Sequence, residues 1–341
     1  MSVKLEKMEI PEFKQRKDYN NNYYVPGADG KWFDNLMYLY DNCSTHAAII
    51  NNLKRRICKD LEKDKVFEKA VLDYLITGCM SLQVKWNINH TKIVDIVHLD
   101  ASKVMIGMIN KDTDEPSLYY YSNDWQKYNN RKVDIFYPFS EDKGSDDNQL
   151  FYYKRYCPNG SEWSVYRKPD YYSSIKSIYT KIQIDSYYAN LVKNNFVANC
   201  LVSVPSFNDE QKEKAFEKSL NDFTGSDNAG SMMVIYTDGE NKPEIIKFNG
   251  EKDDEKYSKL NEDVINEIFM GHNLPPALGG VMYSGKLGNA TELPQYEELY
   301  DTYVVNPIKD ELLAEFDKLN KYMPVKKETV AQPLAQPENN A

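Results

Sequence analysis

Residues 280–287 read Gly-Val-Met-Tyr-Ser-Gly-Lys-Leu and fit the GxxxxGK spacing of a phosphate-cradling loop. Such a loop needs Ser or Thr directly after the lysine, because that hydroxyl ligates Mg²⁺. Leu287 stands there instead. A P-loop also follows a buried strand, whereas this stretch follows Leu274-Pro275-Pro276. The residues describe a glycine-rich loop with one cation, Lys286, better than a nucleotide site. The histidines are His46, His90, His98 and His272, with no two at i, i+4 and no carboxylate at metal-ligand spacing. There is no GxSxG elbow and no Cys–His nucleophile signature. The pairs Glu297-Glu298 and Asp253-Asp254 read as solvated surface. Lys212, Lys214 and Lys218 alternate with Glu210, Glu213 and Glu217, at spacings that make ion pairs along an exposed helix face. The expectation is a chain that is not an enzyme, with no catalytic residue, cofactor or metal.

Charge and composition bound the function further. The 341 residues carry 52 acidic and 42 basic side chains, a net charge of −10. Proteins that grip duplex DNA carry the opposite excess, to displace counterions from phosphate. No apolar window of about 18 residues is present, so no membrane-spanning helix is expected, and the first residues lack the apolar core of a secretory signal. Cysteines at 43, 58, 79, 157 and 200 form no CxxC pair. Their odd number argues against a disulfide framework or thiolate zinc site and for a reducing cytoplasm. The excess of tyrosine (27) over tryptophan (4), with frequent Asn and Lys, reflects AT-rich coding DNA.

The elements that would position these residues follow from periodicity. Residues 1–40 are polar and Asn/Tyr-rich, with turn signals at Pro26-Gly27 and Asp29-Gly30; they read as an extended arm with little core of its own. Ala47, Ile50, Leu53, Ile57 and Leu61 recur at three and four, predicting a helix over 44–61, and Val66, Ala70, Val71, Tyr74 and Leu75 predict a second, stopping near Gly78. Short Val/Ile-rich runs predict strands at 81–86, 92–99, 103–109, 118–121, 131–136, 151–156 and 162–167, with an exposed loop at 141–148. From 171 to 199 a long helix carries two seven-residue rows, Ile175, Ile182, Ala189, Phe196 and Ile178, Asp185, Val192. Together they make a narrow packing seam. A buried helix in one globular core is the other reading of that pattern. A β-α-β-β unit follows, with strands at 200–204, 232–236 and 243–248 and a helix at 208–223. Residues 257–270 are helical again and break at Asn273-Leu274-Pro275-Pro276. A last helix runs over 291–319, kinked by Pro307, and residues 321–341 read as disordered.

This order, with two local motifs, resembles the portal proteins of tailed bacteriophages, specifically the compact type of long-tailed phages. Leu274-Pro275-Pro276-Ala277-Leu278-Gly279 is similar to the family's VPP-x-LLG element. Asn289 stands where the family has Ser-Asn, and Asn306-Pro307 matches its mid-helix proline. Gly225-Ser226-Asp227-Asn228-Ala229-Gly230 is similar to its G-x-x-NAG-K element, with Ser231 in the lysine's place. The N-terminal helix pair followed by strands is a third, weaker likeness. The resemblance covers residues 41–320.

The resemblance implies an α+β ring subunit: N-terminal arm 1–40, wing 41–170, stem helix 171–199, α/β clip 200–250, second stem helix 251–273, tunnel loop 274–290, kinked wing helix 291–320 and tail 321–341. It implies a homo-oligomeric ring, typically a dodecamer, at one capsid vertex of the virion, assembled in the host cytoplasm. Double-stranded DNA passes through it in packaging and ejection, and terminase, a head–tail adaptor and the major capsid protein are its partners; no membrane is involved. Tyr283, Ser284, Gly285 and Lys286 would line the channel. Lys212, Lys214, Lys218, Asp227 and Asn228 would serve docking at the clip, and Ile175, Ile178, Ile182, Val192 and Phe196 would pack the stem. The rivals are another head–tail or tail ring component and a nucleotide-binding enzyme using residues 280–286.

Overall fold

The computed structural model describes residues 15–18, 21–27, 29–59, 65–110, 112, 115–125, 132–142, 148–156, 165–193, 200–203, 214, 244–247, 253–279 and 292–323. They form a mixed α/β protein divided into two compact units. One contains the described residues of 31–55 and 168–304, and the other those of 13–30, 56–167 and 305–341.

The second unit is built on an eight-stranded sheet. Its strands are β1 (Gln15–Asp18), β2 (Tyr23–Pro26), β3 (Cys79–Trp86), β4 (Ile93–Leu99), β5 (Val104–Gly107), β6 (Tyr119–Tyr121), β7 (Asp134–Pro138) and β8 (Asn148–Lys154), in the order β1-β2-β5-β6-β7-β8-β3-β4. Every pairing is antiparallel except β7 with β8. Helix α3 (Lys65–Thr77) buries Phe67, Ala70, Val71, Tyr74 and Leu75 and packs on β3 and β4. It stops at Gly78, whose φ of 80° suits a residue without Cβ. Gly107 is equally constrained, since a Cβ there would lie 2.4 Å from the Leu118 carbonyl oxygen.

Two expectations change here. Residues 23–25 are no bare arm. Tyr23, Tyr24 and Val25 are buried, β2 pairs with β5, and Tyr23 packs edge-on to Trp125 at 5.4 Å. Residues 165–167 form no strand, although all three are buried. Tyr166 explains why: its hydroxyl donates to the Tyr24 carbonyl at 2.6 Å and accepts from the Ile106 N–H at 3.1 Å. A side chain there joins two strands in place of a backbone ladder.

The first unit is helical. Helix α1 (Trp32–Asn42) falls inside the expected arm and buries Trp32, Phe33, Leu36 and Leu39. Burying each such side chain is worth ~1.5–3 kcal/mol, which outweighs the polar composition around them. Helix α2 (Ser44–Ile57) buries His46, Ile49, Ile50 and Leu53. A 3₁₀ turn (Asp170–Ser174) leads into α4 (Ile175–Lys193), and strands β9 (Cys200–Ser203) and β10 (Glu244–Lys247) pair antiparallel before α5 (Asp253–Gly271).

The last helical region runs on through one irregular turn. Helix α6 (Glu292–Tyr300) gives way to a π-helical turn, Asp301–Val305, and then α7 (Asn306–Asn320). Helical conformation continues without a gap from Glu292 to Asn320, Val305 having φ −69° and ψ −53°, and the π turn falls directly before Pro307, where the sequence predicts a helix interrupted by proline. In the second unit α7 buries Ile308, Leu312, Phe316 and Leu319, and Phe316 meets Phe67 edge-on at 4.3 Å. Glu311 binds Tyr153 Oη at 2.5 Å and Arg155 Nε at 2.6 Å. The expected disorder does not begin at residue 321, because the Tyr322 carbonyl accepts from the Ile93 N–H at 2.9 Å and its ring lies 5.2 Å from Trp86. Residues 324–341 lie outside the described residues.

Candidate functional site

The resemblance directs attention to the α4–α5 pair and to residues 272–279, which follow α5. The two helices run antiparallel. Ser177 Oγ donates to Glu267, and Gly271 lies so close to Ser174 that a Cβ would fall 2.0 Å from its Oγ. Ile175, Ile178 and Ile182 are buried, as the seam predicts, and Tyr179 and Ile184 join them. Val264, Ile268 and Phe269 are buried on α5. Burial stops partway along α4. Asp185 and Ala189 are exposed, and Asp185 forms an i, i+4 ion pair with the mostly buried Lys181. Val192 belongs to α4 by its backbone, but its side chain and all of Phe196 lie outside the described residues.

The end of α5 shows what the residues 272–279 do. Asn273 takes φ 51°, and the N–H groups of Asn273 and Leu274 close on the carbonyls of Met270 and Phe269 at 3.0 Å each. That is a Schellman stop with Asn in the left-handed position. Leu274 is buried, the two prolines prevent resumption of the helix, and a 3₁₀ turn, Pro276–Gly279, follows. A Cβ on Gly279 would lie 2.2 Å from the Phe269 ring, so glycine is required where the chain departs. The GxxxxGK stretch thus follows a helix and a 3₁₀ turn, not a strand. Tyr283, Ser284, Gly285 and Lys286 lie outside the described residues.

β9 and β10 pair with each other and lie, in chain order, between the C-terminus of α4 and the N-terminus of α5. Of the expected clip residues, Lys214 is helical and exposed. Lys212, Lys218, Asp227 and Asn228 lie outside the described residues.

Sequence spacing did not reveal the buried histidine pair. His46 Nδ1 lies 2.9 Å from His272 Nε2, 226 positions away, with Tyr171 packed against both rings at 4.4 and 5.3 Å. Burial holds His272 down to about 4 and pushes His46 well below the ordinary histidine range, with the neighbouring ring adding to the effect on His46. Among the described residues His46 Nε2 is buried without a hydrogen-bond partner. The pair is neutral and structural, joining α2 to the end of α5. Burial also pushes the Cys43 thiol up. Elsewhere His98 Nε2 meets Asp73 Oδ2 at 2.9 Å, and His90 stacks on Trp86 at 4.1 Å. Among the described residues no three His, Cys, Asp or Glu gather as metal ligands, and no helix is long and apolar enough to cross a membrane.

The sequence matches no protein-family model and no curated protein sequence. Among solved structures, the chain is similar to one from the neck of an empty gene transfer agent particle computed with C6 symmetry, at 14% identity and TM-score 0.48, over 87% of this chain and 78% of that one. A chain from the virion of a native gene transfer agent particle has 14% identity and TM-score 0.47, over 87% and 81%. A chain from the neck of a native particle computed with C12 symmetry has 15% identity and TM-score 0.48, over 86% and 77%.

Proposed function

We propose that this chain is a structural component of a phage-like particle, and specifically a portal-type subunit whose ring forms the DNA channel at one capsid vertex. The observation that carries the reading is the order and polarity of the first unit. An antiparallel helix pair carries a strand pair in the chain between its two members and a Schellman–diproline stop after the second. The clip for terminase and adaptor, 200–250, would project from between the two helices, and the tunnel loop, 274–290, would begin at the stop. In this reading the chain is not an enzyme and needs no cofactor.

The charge supports sliding over gripping. Each Lys–phosphate contact adds affinity, hence drag on moving DNA. A chain of net −10 leaves a repulsive background in which the loop cation, Lys286, is the phosphate contact. The test is a particle assembled with and without this chain. The reading expects DNA-filled heads only when the chain is present; heads that fill without it contradict the reading. Lys286→Glu in an otherwise intact particle should alter packaging or ejection rate, and unchanged rates would remove the phosphate role.

A further inference from the structure

The eight-stranded sheet of the second unit ends in two edges of different character. β1 is four residues long, three of them charged. β4 reads Ile-Val-Asp-Ile-Val-His-Leu, seven residues with no Pro or Gly and one acid. Among the described residues its strand partner is β3 alone. A long apolar edge of that composition is a template for another strand. Native proteins blunt such edges with a bulge, a charge or a covering loop. The first three residues of β4 carry all three devices. The register with β3 slips between Lys85 and Trp86, so Val94 bulges out and stands 68% exposed. Asp95 is exposed and pairs with Lys85 at 2.9 Å. The third device is the turn 321–323 that follows α7. The Tyr322 carbonyl takes the Ile93 N–H at 2.9 Å, the place a partner strand's carbonyl would hold. The turn is fastened at its outer side. The Tyr322 ring meets Trp86 edge-on at 5.2 Å, its hydroxyl donates to Glu141, and Lys321 Nζ reaches the same carboxylate at 3.4 Å. Both Lys321 and Glu141 are exposed, and exposed ties are weak. The cover is therefore releasable.

We propose that the turn 321–323 is an edge guard, an autoinhibitory contact that keeps β4 from pairing antiparallel with β4 of a second copy. While the turn is seated, the first N–H of the strand is taken and the Trp86 ring beside it is covered. When the turn lifts, the edge is open for strand addition. The second copy's β4 is favoured over its β1 because two β4 edges meet about a two-fold axis and close on themselves. Their apolar side chains then face their equals, whereas β1 would set Arg16, Lys17 and Asp18 against Val94, Ile96 and Val97. The guard is independent of the ring reading, since strand pairing through β4 adds to whatever assembly the wild type forms.

The test uses the full-length chain. Tyr322→Ala removes the ring from Trp86 and the hydroxyl from Glu141. Glu141→Ala, at an exposed site, undoes the same fastening without touching the turn. In both variants hydrogen exchange at the Ile93 amide should quicken about tenfold or more, while the amides of α3 and β8 keep their wild-type rates. Light scattering on the purified variants should show species heavier than the wild-type assembly, in amounts that rise with concentration. Val97→Lys added to Tyr322→Ala places a cation on the open edge, and should return the mass to the wild-type value while Ile93 exchange stays fast. Wild-type exchange at Ile93 in both variants would overturn the guard. Fast exchange with no heavier species would overturn it too, because the turn would then be a packing contact with nothing to hold off. Heavier species that Val97→Lys leaves unchanged place the association elsewhere and also overturn it. Where Tyr322→Ala quickens exchange throughout the second unit, the Glu141→Ala chain, with Val97→Lys added to it, decides by the same readings.

Discussion

Acidification should loosen the first unit at one identifiable place. His46 and His272 are buried against each other, with Tyr171 closing over both rings. Below the ordinary histidine range the unfolded chain takes up protons that the folded chain refuses, so stability falls as pH falls. For His272, moving from 6.5 in the unfolded chain to about 4 in the fold costs about 2 kcal/mol at pH 5 and about 3 kcal/mol below pH 4. His46 shifts the same way and adds to the loss. The perturbation is the double variant His46→Leu, His272→Met, which replaces both partners with apolar side chains and leaves neither ring stranded. Urea unfolding at pH 7 and pH 5 reads the difference, and hydrogen exchange over 44–53 and 264–274 locates it. Wild type should lose at least about 2 kcal/mol more than the variant between those pH values. An equal loss in both proteins would refute the assignment, as would a loss that leaves exchange in those two segments unchanged.

Three further outcomes follow from local geometry. Gly279→Ala forces a methyl into the Phe269 ring and should cost about 1–3 kcal/mol in thermal unfolding, with Phe269→Leu in the same chain recovering much of it. Asn273→Val should cost about 1–3 kcal/mol because a β-branched residue cannot take φ 51° without strain, whereas Asn273→Gly should be near neutral. Tyr166→Phe removes a buried hydroxyl with partners on two strands and should cost about 1–3 kcal/mol, with faster exchange at the Ile106 amide.

Much of the helical order was legible in the sequence because most of the helices announce themselves locally. The three- and four-residue rows of α2, α3 and α5 appear without reference to the rest of the chain, and the stop at 273–276 is written in Asn and Pro. The π turn at Asp301–Val305 was not legible. Pro307 signals a break, but a π turn placed before it is a choice made by packing. Helix α1 was hidden because four buried residues sit in a polar, tyrosine-rich segment whose turn signals dominate its start. Residues 165–167 misled for the reverse reason: apolar alternation was present, yet a tertiary bond from Tyr166 replaced the ladder. The histidine pair was invisible because its members are 226 positions apart, and no periodicity links residues on separate helices. Spacing found the Leu-Pro-Pro motif, but only the Gly279–Phe269 approach explains why glycine ends it.

The central claim is a closed ring, and the native mass of the purified chain by light scattering, with negative-stain images of the same fraction, tests it most directly. One large species, seen end-on as a ring with a central hole, is the expected result. A chain that stays monomeric at every concentration, or grows only into open polymers, contradicts it.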